Sequence, residues 1–230
     1  MIPLRDNVPT RRFPLLTVAF IAVDAAVWLL YQVPDLERSV VQLGFYPCEV
    51  DASCREHGEP WPVNAVTAMF LHGGWIHIIG NMLFLWIFGN NVEDAIGRVR
   101  FVVFYFLSGF AATGLQAWVT LAYGSPEEAA IPNVGASGAI AGVLGGYLLL
   151  YPAARVVALV VLGFFLTTIE VPALFFLGVW FLFQLWQGGF SLVAPESGGG
   201  VAFFAHIGGF VFGAVTVHLF AKRPPLRPAY

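Results

Sequence analysis

The feature that most constrains this chain is a series of apolar runs, each near or beyond the ~20 residues needed to cross a bilayer core. Without water at that depth, a crossing segment must satisfy its own backbone, as a helix or within a closed barrel. The runs are continuously apolar rather than alternating, which selects helices. Only 11% of the 230 residues are charged and 58% are apolar, with a mean hydropathy of +0.77, so a water-soluble globule is excluded. The same composition argues against disorder and nucleic-acid binding, and two cysteines are too few for a disulfide scaffold.

Six spans are expected, at about 14–33, 63–88, 101–123, 135–151, 171–186 and 202–221, with proline and glycine clusters at the joints. The stretch 156–168 (VVALVVLGFFLTT) is apolar but only thirteen residues long, which suits an interfacial or re-entrant piece. If it does not cross, one side holds Arg5, Arg11, Arg12, Arg98, Arg100, Arg155, Lys222, Arg223 and Arg227, leaving Arg38 and Arg55 opposite. Basic residues stay cytoplasmic, so the expectation is an all-α bundle of six transmembrane helices with both termini inside. Residues 1–230 then form a single transmembrane domain, with short cytoplasmic tails at 1–13 and 222–230. Thr10-Arg11-Arg12-Phe13 ahead of a long apolar run reads as an uncleaved signal-anchor. Asp24 falls mid-span, where a charge costs about 2.5–3.5 kcal/mol, and is either functional or a bundle-facing structural carboxyl.

Polar residues within the spans converge at one depth. Ser137 falls in the first turn of the fourth span and His206 in the first turns of the sixth, both entering from outside. The second span carries His72, His77 and Asn81 near the same side. Small residues recur every fourth position, at Gly138, Gly142 and Gly146 and at Ala205, Gly209 and Gly213, with Ala141 and Gly145 beside them. Such stripes let helix backbones approach closely in lipid. Taken singly, each of these residues is more often a packing feature. Together they bring a hydroxyl to an imidazole able to take its proton. No acid is placed to orient His206, so the pattern is a Ser–His dyad. The N–H of Ser137, at a helix start, with His77 and Asn81 four residues apart on one face, would stabilise an oxyanion.

The segments His72-Gly-Gly-Trp-Ile-His77-Ile-Ile-Gly-Asn81, Gly135-Ala-Ser137-Gly138, Ala205-His206-Ile-Gly-Gly209-Phe-Val-Phe-Gly213 and Glu93-Asp94 with Gly97 resemble those of the rhomboid family of intramembrane serine proteases. The resemblance runs along nearly the whole chain. It implies Ser137 as nucleophile, His206 as general base, His77 and Asn81 as oxyanion donors, and a supporting role for His72, Gly135, Gly138, Gly209 and Gly213. It implies transmembrane protein substrates that unwind near the outer boundary, with helix-breaking residues and a small residue before the cut. An integral protein of the bacterial cytoplasmic membrane is expected, its site opening to the non-cytoplasmic side. No cofactor is implied. No metal is expected either: H-E-x-x-H is absent, and His72 and His77 lie on different helical faces.

Two departures stand out. The family's frequent Trp-Arg pair in the first outer loop is replaced by Trp61-Pro62, and an aromatic expected to stack on the base is Ala141. What orients His206 is therefore not readable. The spacing of Cys48 and Cys54 leaves a disulfide open. The glycine-rich loop 188–201 has the content of a cap, while Phe175, Phe176, Trp180, Phe181 and Phe183 either form a lateral gate or face lipid. Competing readings are a non-catalytic rhomboid-like binder and a proton-coupled transporter using the histidines and Asp24.

Overall fold

The computed structural model describes residues 1–55, 57–162, 165–193, 201–222, 226 and 228. Strand β1 (Ile2–Asp6) precedes helix α1 (Leu15–Val27), which continues through a π turn at Trp28–Gln32. An outer segment carries α2 (Leu36–Leu43), α3 (Pro47–Val50) and α4 (Trp61–Thr67), the last ending in a 3-10 turn at Ala68–Phe70. Then come α5 (Trp75–Phe84), a π turn at Leu85–Gly89, α6 (Asn90–Ile96), α7 (Arg98–Tyr123), α8 (Pro126–Ala129) and α9 (Ser137–Leu150). Strands β2 (Arg155–Leu162) and β3 (Phe165–Pro172) lead to α10 (Ala173–Val193) and α11 (Phe203–Phe220).

Among the described residues, four helices are long and apolar enough to cross a membrane: Leu15–Gln32, Arg98–Tyr123, Ala173–Val193 and Phe203–Phe220. A fifth is added if Trp61–Phe70 and Trp75–Ile96, bent by 81°, count as one broken span. Helix α9 is apolar but shorter, and nearly all of it is buried by its neighbours. The chain is thus an integral membrane protein built mainly of helices.

The broken span corrects the expectation of one continuous helix over 63–88. Consecutive Gly73 and Gly74 weaken a helix there, and Gln32 of α1 takes up the backbone groups that the break frees. Its side-chain oxygen accepts from the His72 N–H at 2.8 Å, and its amide donates to the His72 carbonyl at 3.0 Å. A buried extended peptide is tolerated at this depth because both of its polar groups are paired.

The all-α expectation is also corrected. The stretch 156–168 is neither a crossing nor a helix; it forms most of an antiparallel hairpin, β2 against β3, with β1 added on the other edge of β2. Valine-rich and threonine-rich sequence favours strands, and Val156 and Ala158 point inward while Arg155 points out. The expected tail at 1–13 therefore supplies a strand, and Asn7 extends the pairing through bonds in both directions with Arg155. Most of the tail at 222–230 lies outside the described residues.

One end of the bundle gathers the groups that basic residues were expected to mark. Buried Glu93 accepts from the N–H groups of Leu16 and Thr17 at 3.1 and 2.8 Å and from the Thr17 hydroxyl at 2.9 Å. Helix α1 opens on Pro14 without a side-chain cap of its own, so a carboxylate 76 residues away takes up its free donors. Arg11 pairs with Asp94 at 3.1 Å, and Arg100 donates to the Phe220 carbonyl at 2.9 Å. At the opposite end, Cys48 and Cys54 form a disulfide. His57 stacks on Tyr46 there, with ring centroids 4.1 Å apart.

The sheet supplies a pH test. Asp6 accepts from the Tyr147 hydroxyl at 2.6 Å, and burial pushes its carboxyl up to about 6. A carboxyl raised on folding favours the folded state while protonated, and that contribution is lost as pH rises from its unfolded value near 3.8 through 6. Asp6→Asn keeps an acceptor for Tyr147 and cannot ionise. Its melting temperature relative to the parent should therefore rise between pH 5 and pH 7.5; a constant difference across that range would refute the assignment.

Candidate active site

Ser137 is the first residue of α9, so its N–H has no helical carbonyl to bind and points free of the helix. The chain reaches it through Gly135, whose φ of +134° belongs to a region side-chain-bearing residues rarely adopt. The Gly135 N–H donates to the Ala68 carbonyl at 2.9 Å, anchoring this entry turn to α4. A Cβ at Gly135 would lie 2.9 Å from His77 Nε2 and 3.4 Å from Ser137 Oγ. The missing side chain thus keeps open the gap between those two groups.

His206, in the first turn of α11, brings its Nε2 to 2.8 Å from Ser137 Oγ. The helices meet almost backbone to backbone. A Cβ on Gly209 would collide with the Gly138 carbonyl, and one on Gly213 with the Gly142 carbonyl. Gly138 itself faces Ala112 and Ala205. Both small-residue stripes therefore line the seam that holds the hydroxyl and imidazole together.

His77 enters from α5. Its Nδ1 accepts from the Gly73 N–H at 3.2 Å, which leaves the ring proton on Nε2, the atom beside Gly135. Asn81, one turn on, is buried with its Nδ2 lacking an acceptor among the described residues. His77 and Asn81 thus both line the cavity that holds Ser137, the Asn81 Nδ2 itself lying buried. That cavity, about 840 Å³, is lined by His77, Asn81, Ser137, Trp180, Ala202 and His206 among others. His72 is fully buried, edge-on to His77 with ring centroids 5.2 Å apart, and its backbone is the part clasped by Gln32. Asp24 is buried in α1 and lines no part of this cavity.

Three glutamines in apolar helices escaped the sequence reading. Gln32 clasps His72, as described. Gln116 of α7 accepts from the Ala205 N–H at 3.2 Å, sharing with the Ala202 carbonyl a donor at the start of α11. Gln184 of α10 lies 2.8 Å from His206 Nδ1. Ala141 offers no ring to His206; Trp180 does, its centroid 5.8 Å away and its plane tilted by 38°. A polar side chain amid apolar residues of a span was the available signal.

The aromatics of α10 divide. Phe175 and Phe183 are exposed, Phe181 stacks on Phe210 at 4.4 Å, and Phe176 meets Phe84 of α5 at 6.4 Å. Of the expected cap over 188–201, Gly188 and Gly189 belong to α10 instead, which runs to Val193, with Gly188 against Phe203, Phe204 and Ile207 of α11. Residues 194–200 lie outside the described residues.

Comparison with known families gives a match to the rhomboid domain over residues 57–223. The chain belongs to the rhomboid family. The matched segment holds every helix from α4 to α11, while Gln32 and β1 precede it. Similar proteins include Rhomboid-like protein 11, chloroplastic, of Arabidopsis thaliana, 31% identical over 73% of this chain and 56% of its own length. Rhomboid protein 1, mitochondrial, of Saccharomyces cerevisiae is 26% identical over 87% of this chain and 51% of its own length. Presenilin-associated rhomboid-like protein, mitochondrial, of Mus musculus is 27% identical over 84% and 45%. The chain thus spans about half the length of these relatives.

The rhomboid seam predicts a contrast between two glycines. Gly209→Ala drives a methyl into the Gly138 carbonyl and should destabilise the bundle by about 1–3 kcal/mol. Gly114→Ala in α7 meets nothing within 4 Å and should be neutral or stabilising, by up to about 1 kcal/mol. Thermal unfolding of both variants in detergent checks this; equal shifts would mean the seam is not tightly closed.

Proposed function

We propose that the chain is an intramembrane serine endopeptidase acting through a Ser137–His206 dyad on transmembrane segments of other membrane proteins. The observation that carries this reading is the 2.8 Å approach of His206 Nε2 to Ser137 Oγ in a cavity also lined by His77 and Asn81. Family membership supports it, since rhomboids are generally serine proteases. The working compartment is a bacterial cytoplasmic membrane, with both termini on the basic side, six crossings, and the site towards the other face.

In the proposed reaction, Ser137 Oγ attacks the scissile carbonyl while its proton passes to His206 Nε2. The carbonyl oxygen becomes an oxyanion, met by the Ser137 N–H, His77 Nε2–H and Asn81 Nδ2–H. His206 then returns the proton to the leaving amine. A water, deprotonated by the same nitrogen, releases the acyl group and regenerates the serine. A helical peptide bond is shielded by its neighbours, so the substrate must unwind to present its carbonyl. Glycine at 135 and 138 keeps the approach to Oγ clear.

Asp24 lies away from the cavity, which weighs against a proton relay shared with the histidines. The test uses a purified tagged transmembrane reporter and a fluorophosphonate probe. Ser137→Ala should abolish both cleavage and labelling with expression intact, and His206→Ala should abolish labelling. Asn81→Ala should lower kcat roughly 10²–10³-fold with little change in KM, as the loss of an oxyanion donor does. Cleavage that survives Ser137→Ala would refute the proposal. A folded chain that never labels would favour a non-catalytic binder.

A further inference from the structure

We infer that Gln184 is the positioning residue of the Ser137–His206 pair, an uncharged third member that holds the imidazole with its basic nitrogen towards the serine. The inference rests on the protease reading above and adds to the dyad a group on α10, the helix on the far side of His206 from Ser137.

Donor and acceptor chemistry assigns each atom in turn. One end of the Gln184 amide lies 3.5 Å from the Trp180 carbonyl, one turn earlier on α10. A carbonyl only accepts, so that end is the NH2 and the other is the oxygen. The oxygen stands 2.8 Å from His206 Nδ1. It too only accepts, so Nδ1 carries the proton. A neutral imidazole holds one proton, so Nε2 presents its lone pair to Ser137 Oγ, 2.8 Å away. The hydroxyl is then the donor of that bond, the arrangement from which a serine is activated. The donor sequence runs in one direction, from Ser137 through His206 to Gln184 and from the Gln184 amide to the backbone.

Burial makes the amide hard to replace. Gln184 is only 5% exposed, so water has little room to take its place at Nδ1. Trp180 shares its helical face, and its ring borders His206 where Ala141 contributes none. Helix α10 therefore supplies both the ring neighbour and the hydrogen-bond acceptor. A carboxylate in this place would stabilise the imidazolium formed during attack, but it would bury a charge deep among apolar helices. The amide sets the tautomer without that burden.

The experiment compares the full chain with Gln184→Leu and Gln184→Glu, the second keeping an acceptor at the same reach. It reads kcat and KM on the reporter, the rate of Ser137 labelling, the melting temperature, and the 15N spectrum of selectively labelled histidine. The parent should show His206 protonated on Nδ1. Gln184→Leu should lower kcat and labelling by up to roughly 10⁴-fold with KM within twofold, as loss of the correct tautomer does in Ser–His systems, and its spectrum should gain the Nε2–H form. Gln184→Glu should recover most of the labelling rate. An unchanged kcat and an unchanged Nδ1–H signal in Gln184→Leu would overturn the inference. So would lower activity with a lower melting temperature and the Nδ1–H signal kept, which is the mark of packing alone. If the parent neither cleaves nor labels, the protease reading falls, yet the nitrogen spectra of parent and Gln184→Leu still decide whether Gln184 sets the tautomer.

Discussion

Contact between two glycine-lined backbones governs this molecule. In lipid, apolar surface gains little by leaving its surroundings, so helices associate through close packing and hydrogen bonds. Gly138 and Gly142 of α9 place their carbonyls against Gly209 and Gly213 of α11, with no side chain between. Gly145 is pressed equally close to the Phe210 backbone. Ser137 and His206 stand at the same end of this seam, each within the first turn of its helix. Their separation is therefore set by main-chain contact, which has far fewer alternative arrangements than side-chain packing. The other elements act on this pair by aiming it.

Aiming is done by neutral amides. Gln32, Gln116 and Gln184 each come from a different helix, and each meets a specific polar atom at 2.8 to 3.2 Å. A carboxamide can give and accept at once without the desolvation cost of an ion, which suits the interior of a bundle. Among the described residues, the Glu93 and Asp94 pairs gather at one end of the bundle. There, Glu93 meets the positive end of α1 and draws Arg98 to within 3.8 Å. The amides act within the bundle, and these carboxylates act at its end.

Much of this was legible in the sequence because the informative residues recur at fixed steps. Glycine every fourth position, a serine and a histidine at the starts of two such stripes, and the His77–Asn81 interval together mark the pair and its donors. The glutamines were not legible, since the partner of an isolated amide is decided by how helices rotate, which no spacing within one helix reveals. The run VVALVVLGFFLTT was ambiguous for another reason: over thirteen residues, apolar content is compatible with a surface helix, a re-entrant piece or a hairpin. The sheet won because Ile2–Asp6, distant in sequence, supplied a further partner strand. Gly73 and Gly74 marked a weak point, but only Gln32 from α1 made an actual break sustainable there. Gly188 and Gly189 suggested a loop, yet both lie within α10, where Gly188 packs on α11.

The pairing of β1 with β2 has a consequence for biogenesis. Asn7 and Arg155 lie 148 residues apart, with α1 to α9 between them. During synthesis the first strand emerges long before its partner and must wait, unpaired, while that entire stretch is threaded into the bilayer. Closure of so distant a contact is a late event. The small sheet thus closes only once the serine-bearing helix has been made, tying β1 to the segment that follows that helix.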